Sequence, residues 1–172
     1  GLVGSEMCIR DRVRGGGEFM TIKALIMDVD GTLTDGTIYL DNNGNEMKKF
    51  NVKDGYAINT ILPEYDIVPI VITGRRSEIV RKRCEELNIK KVVQGSINKV
   101  NDMKLILNDL SISMEETAYI GDDMNDIECM KLVGLCACPN DAVNEVKKIC
   151  DIVAEKNGGE GAVREIIEKI VQ

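Results

Sequence analysis

From residue 20 onward, apolar runs of strand length alternate with stretches of helical period, and this alternation narrows the fold more than any other feature. Strands are expected over 22–29, 67–72, 91–93, 117–120, 134–138 and 151–154. The first of them, IKALIMDV, is apolar enough to be buried on both faces. Helices are expected over 54–62, with Asp54 as N-cap and Pro63 beyond the end, and over 77–87, with Ser77 as N-cap. Further helices are expected over 98–110, 124–132, 142–148 and 161–171. One pair breaks the alternation: 37–40 and 46–50 flank the turn-rich DNNGN, which predicts a β-hairpin. The pattern implies an α/β fold, a Rossmann-like parallel sheet with helices on both faces and a hairpin flap after the first strand. Ligands of such sheets sit outside the carboxyl ends of the strands, so the strand-to-helix loops are where chemistry is expected.

The chain has 172 residues and no histidine, which excludes imidazole-based triads, phosphohistidine chemistry and His-ligated zinc. Any chemistry must run on carboxylates, Lys, Thr/Ser, Cys or an oxygen-bound metal. The six cysteines form no CxxC pair and read as reduced thiols of a cytoplasmic protein. A formal charge of −7 argues against nucleic acid or anionic membrane as a partner. The longest apolar run, near 67–72, is far short of the roughly 20 residues of a membrane helix. Residues 1–19 show no sustained period and no signal-peptide core, and their GSEMCIRDR string resembles a translated sequencing adapter. They are expected to be a non-native extension ahead of a domain spanning 20–172.

Four successive strand ends carry a common chemistry. After the first strand stand Asp28 and Asp30, two acids that can point the same way, then Gly31 for a tight turn. Close negative charges at a buried strand end require a compensating cation. After the second strand comes Thr73-Gly74-Arg75, a hydroxyl beside a glycine turn suited to a phosphate oxygen. Lys99 follows the third strand at the start of a helix, a point charge for phosphate. After the fourth come Asp122, Asp123 and Asp126. Oxygen-only ligands of this kind suit Mg²⁺, which keeps several waters and binds substrate phosphate.

DVDGT, ITGR, Lys99 and GDDMND together resemble the four motifs of the haloacid dehalogenase superfamily of phosphohydrolases. The resemblance implies Asp28 as nucleophile, Asp30 as general acid and base, and Thr73 and Lys99 as holders of the phosphoryl group. It implies Mg²⁺ held by Asp28, Asp122 and the backbone carbonyl of Asp30, with Asp123 and Asp126 orienting metal waters and Lys99. The spacings leave 42 residues between Asp30 and Thr73, 25 to Lys99 and 22 to Asp122, too few for an added cap domain. A receiver domain, also α/β with clustered acids, would need an acceptor Asp after the third strand, where Gln94-Gly95 stands.

Longer strings, from DVDGTLTDGTIYL through NVKDG, ITGRRSEIVRKRCEEL, QGSINK and GGEGAVRE, are similar to a capless, tetrameric subgroup of that superfamily acting on sugar-acid phosphates such as 3-deoxy-D-manno-octulosonate 8-phosphate. That subgroup serves lipopolysaccharide biosynthesis. The resemblance implies a homotetramer whose hairpin docks on a neighbour, and sugar-acid contacts from Asn51, Val52, Lys53, Asp54, Gly55, Gly74, Arg75 and Arg83. It also implies that the residues after Asn157 reach an adjacent subunit's entrance. The apolar stripe Val163, Ile166, Ile167 and Ile170 must be buried on the core or on a partner. Asn59, Glu160 and the GDDMND form depart from the eight-carbon pattern, so a nine-carbon sialic-type 9-phosphate stays open as substrate. A non-catalytic oligomerisation module for a sugar-acid cytidylyltransferase is the alternative of a different class.

Overall fold

The sheet grows outward from its first strand. In the computed structural model, which describes residues 21–172, β1 (Ala24–Met27) pairs in parallel with β4 (Val68–Ile72) on one side and β6 (Thr117–Ile120) on the other. β5 (Lys91–Val93) extends the first side, and β7 (Leu135–Cys138) and β8 (Ile152–Val153) the second. The order is therefore β5-β4-β1-β6-β7-β8, all parallel. The chain first winds from β1 to β4 and β5, then returns to the other side of β1. The reversal falls between β1 and β6, where the crevice of a doubly wound sheet lies. The extension expected over residues 1–19 lies outside the described residues.

Strand periodicity splits the interior in two. Leu25 and Met27 face one core, Ala24 and Ile26 the other. Onto the first pack α1 (Val52–Tyr56), a π-helical turn (Ala57–Ile61), α2 (Leu62–Glu64), α3 (Glu78–Glu86) and α7 (Ala162–Val171). Onto the second pack α4 (Lys99–Leu110), α5 (Ile127–Leu132) and α6 (Asn144–Ile149). The stripe of α7 is buried in this chain's own core, with Val163, Ile166, Ile167 and Ile170 at most 1% exposed. Each such side chain is worth about 1.5–3 kcal/mol of burial, so α7 is part of the fold and not a free docking arm. Among the described residues, no helix is long and apolar enough to cross a membrane.

Two local expectations are corrected. The helix expected at 54–62 begins two residues earlier, because Asn51 and not Asp54 is the N-cap: its side chain accepts the Lys53 N–H at 2.8 Å. Asp54 is instead turned inward, where it accepts the Arg164 N–H at the start of α7, also at 2.8 Å. The helix also runs past Pro63, which sits in the first turn of α2. The wider π-helical turn before it relaxes the clash that a proline makes with the preceding carbonyls. The hairpin strands β2 (Tyr39–Leu40) and β3 (Glu46–Met47) are shorter than expected, and Phe50 pairs separately, with Thr34. No cap domain stands between any of the motifs; the flap and one helical stretch fill the longest interval.

Candidate active site

The loops after β1, β4, β5 and β6 meet at the switch point. Asp28 follows β1 and is 6% exposed; its Oδ1 accepts the Val29 N–H at 2.8 Å and lies 3.2 Å from Lys99 Nζ. Lys99 opens α4, where Asn98 caps the helix by accepting the Asn101 N–H. From there its ammonium also reaches Asp126 Oδ1 at 2.9 Å. Burial works against the Lys99 charge, but Asp28 and Asp126 outweigh it and its pKa is raised. Thr73, 2% exposed at the end of β4, is fixed by backbone bonds to Val93 and Ser96.

Asp126 is fully buried and uses both oxygens. Oδ1 accepts from Lys99 and from the Tyr119 hydroxyl at 2.7 Å, while Oδ2 accepts the backbone N–H groups of Asp122 and Asp123. It ties the β6 loop to the lysine. Asp123 caps the 3₁₀ turn Met124–Asp126 by accepting the Met124 N–H, and makes no ion pair with Lys99 among the described residues. Its expected influence on the lysine therefore runs through the loop that it shares with Asp126.

Carboxylate oxygens of Asp28, Asp122 and Asp126 lie within 4.8 Å of one another. Burial pushes the Asp28 carboxyl well up, Asp126 pushes it further, and Lys99 opposes. Burial likewise raises Asp122, followed by the charges of Asp28 and Asp126. Asp122 Oδ1 is buried with no hydrogen-bond partner among the described residues. One lysine does not balance this cluster, and a hard cation bound through oxygen would. Because Asp126 is already saturated, the carboxylates of this cluster open to such an ion are Asp28 and Asp122. Gly31, at φ +85°, lets the Asp122 carboxylate pack onto the loop: a Cβ there would lie 1.9 Å from Asp122 Oδ2.

Asp30 points to the other side of the loop. Its Oδ1 lies 2.6 Å from Lys48 Nζ, which is also 2.8 Å from Glu46 Oε1. Arg75 approaches the same pair, at 3.9 Å from Asp30 Oδ2 and 3.4 Å from Glu46 Oε1. The exposed Gly74 precedes it. Of the expected sugar-acid contacts, only Arg75 pairs with Asp30. Arg83 lies over the Phe50 ring at 5.5 Å and donates to the Asn51 carbonyl at 3.4 Å. Gly55 leaves it room, since a Cβ would lie 2.7 Å from its guanidinium. Asp54, pushed up to about 6 by burial against the Arg164 N–H and Arg83, lines the same small cavity of about 10 Å³, too tight for a sugar. Val52 and Lys53 stand exposed at the start of α1.

The GGEG segment packs against its own chain. Gly158 is buried in this chain against its own catalytic loop and donates to Asp141 Oδ1 at 3.0 Å; a Cβ on it would lie 2.1 Å from the Gly31 carbonyl oxygen. The segment thus forms the floor of the Asp28–Thr34 turn. Lys48, Glu46 and Tyr119 were not singled out from the sequence. An acid and a base two apart on a short exposed hairpin carried a signal for the first two, since residues two apart on an extended chain point to the same side. A tyrosine within a buried strand carried one for the third, because its hydroxyl needs a partner.

A family model described as haloacid dehalogenase-like hydrolase matches residues 85–167. The 3-deoxy-D-manno-octulosonate 8-phosphate phosphatase of Escherichia coli K12 is 43% identical over 150 residues, covering 87% of this chain and 79% of that protein. The crystal structure of the Yersinia pestis enzyme of the same name superposes with a TM-score of 0.84 at 41% identity, over 87% of this chain and 80% of that one. The Moraxella catarrhalis enzyme, whose crystal structure holds a magnesium ion, a phosphate ion and KDO, gives 0.83 at 36% identity, over 87% and 85%.

Proposed function

This chain belongs to the haloacid dehalogenase-like hydrolases, and from that premise we propose that it removes phosphate from 3-deoxy-D-manno-octulosonate 8-phosphate through an aspartyl-phosphate. It is a phosphoric monoester hydrolase. The observation that carries the reading is the buried Asp28–Lys99 pair at 3.2 Å, set beside the underbalanced carboxylate of Asp122 at the switch point.

Asp28 attacks phosphorus and the sugar oxygen leaves, taking its proton from Asp30. Asp30, now a carboxylate, accepts a proton from the water that hydrolyses the acyl phosphate, which restores both aspartates. Lys99 and the Thr73 hydroxyl hold the equatorial oxygens as charge moves onto them. Asp126 aims Lys99, and Asp123 keeps the β6 loop in its turn. Mg²⁺, held by Asp28, Asp122 and the Asp30 carbonyl, would offset the repulsion between attacking carboxylate and phosphate. Arg75 takes the substrate carboxylate, with Gly74 leaving the approach open. Asn51, Val52, Lys53, Asp54, Gly55 and Arg83 contribute from the α1 face.

The test is a panel of kcat/KM values with Mg²⁺ and with chelator. The eight-carbon acid phosphate is expected to exceed neutral hexose phosphates by about 100-fold, within the roughly 1.5–3 kcal/mol that a hydrogen bond to a charged group contributes. Chelation is expected to remove the activity. The nine-carbon 9-phosphate is the rival: Asn59 is occupied by Asn88 at 2.9 Å and Glu160 by Lys49 at 3.5 Å, so neither offers the positive charge of the eight-carbon pattern. Preference for a hexose phosphate would sink the sugar-acid reading.

We also propose a cytoplasmic homotetramer. No disulfide joins the described cysteines, as suits a reducing compartment. Ile38, Leu40 and Met47 on the flap and Val52 and Tyr56 on α1 are exposed large apolar side chains, and a patch of that kind marks a contact surface. With α7 committed to the core, the flap carries the interface. Light scattering is expected to give four copies, and Leu40→Asp with Met47→Asp to give smaller species. A monomeric parent chain would refute the assembly.

A further inference from the structure

The flap reaches the catalytic loop through one side chain. The side chain of Lys48, just past β3, is 1% exposed although the hairpin that carries it is exposed. Its ammonium lies 2.6 Å from Asp30 Oδ1 and 2.8 Å from Glu46 Oε1, while Arg75 stands on the Asp30 Oδ2 side at 3.9 Å. The carboxylate of Asp30 is therefore gripped on one oxygen and steered on the other. Neither of these partners belongs to the Asp28–Lys99–Asp126 network. Asp30 sits on a glycine turn with its side chain partly open to solvent. Without a partner it would sample several rotamers, of which few direct its oxygen toward a leaving group. Glu46, two residues back, holds Lys48 in turn at 2.8 Å.

We propose that Lys48 is the positioning residue for Asp30, and that Glu46 fixes Lys48 in turn. The proposal rests on the acid/base assignment of Asp30 made above. It makes the flap part of the catalytic apparatus of its own chain, whatever its tip contacts. A loss of about 1 Å in the placement of a reacting group is worth about 100-fold in rate, and this sets the expected scale.

The experiment measures kcat and KM on the preferred sugar-acid phosphate for Lys48→Met, Lys48→Arg, Glu46→Gln and Asp30→Asn, and for Lys48→Met combined with Asp30→Asn. Lys48→Met is expected to lower kcat by about 100-fold with KM changed less than about threefold. Lys48→Arg, which keeps the charge, is expected to recover most of the loss, and Glu46→Gln to show a smaller one. In the Asp30→Asn background, Lys48→Met is expected to add almost nothing, because the group it positions has already been disabled. If Asp30→Asn is impaired but Lys48→Met keeps full kcat, or if the two losses multiply, the positioning role is wrong while the Asp30 assignment stands. If Asp30→Asn itself turns over at the parent rate, the acid/base assignment fails and the positioning role with it. Should Lys48→Met fold poorly by circular dichroism, Glu46→Gln and Lys48→Arg decide: parent kcat in Glu46→Gln, or no better kcat in Lys48→Arg than in Asp30→Asn, overturns the proposal.

Discussion

Asp28→Asn loses at least about 10,000-fold in kcat, the order of loss found when a covalent nucleophile is removed from an otherwise intact site. The amide has the shape of the carboxylate and keeps the bond from the Val29 N–H, but it cannot attack phosphorus to give an acyl phosphate. Mass spectrometry of acid-quenched enzyme is expected to find phosphorylated Asp28 peptide in the parent and none in the variant. Folding is expected to survive. Burial and the Asp126 charge both oppose an ionised Asp28, so a neutral side chain there relieves the cluster. Lys99 retains Asp126 at 2.9 Å. Thermal melting without metal should therefore give a Tm no lower than that of the parent. An Asp28→Asn enzyme that keeps even a hundredth of parental kcat would place the nucleophile elsewhere.

Asp126→Asn is expected to damage both activity and stability, because no orientation of an amide suits its four donors. Lys99 and Tyr119 donate to one oxygen, and the Asp122 and Asp123 N–H groups to the other. An asparagine NH₂ must face either the ammonium or the two amides, which leaves buried donors opposed. Breaking a buried charge pair in this manner costs about 3 kcal/mol, read as a fall in denaturation midpoint. The β6 loop carrying Asp122 loses its anchor at the same time, and kcat is expected to fall about 100-fold, equivalent to ~2.7 kcal/mol. The substitution separates two accounts of this residue. A side chain that served only as an ion ligand would affect metal affinity and leave the midpoint of the metal-free protein alone.

The sheet was legible because its strands are short, apolar and punctuated by caps and glycines. The strands expected at 91–93 and 117–120 stand where the sequence put them, since runs of three or four residues between turn signals are too short for a helix. Asp28, Asp30, Thr73, Lys99 and Asp122 could be named because a parallel sheet delivers strand ends to one edge. The start of the first helix was misread because Asn51 and Asp54 are both plausible caps; only the arrival of Arg164 from the far end of the chain settles which one turns inward. Lys48 escaped for a related reason. Its partner Asp30 is 18 residues away and belongs to a different motif, and nothing local distinguishes a lysine that enters a site from one that stays in water. The place of α7 was undecidable from its own stripe, which fits a core and a partner equally.

The floor under the catalytic loop has a temporal consequence. The turn that carries both aspartates is encoded well before the surface that shapes it, Gly158 against the Gly31 carbonyl, which stands just ahead of α7 and its part of the first core. On a ribosome, the nucleophile emerges long before its mould. A chain under synthesis thus carries the acids without the geometry that makes them reactive. The acids gain that geometry only once the Gly158 segment, encoded far downstream of them, has folded under their turn.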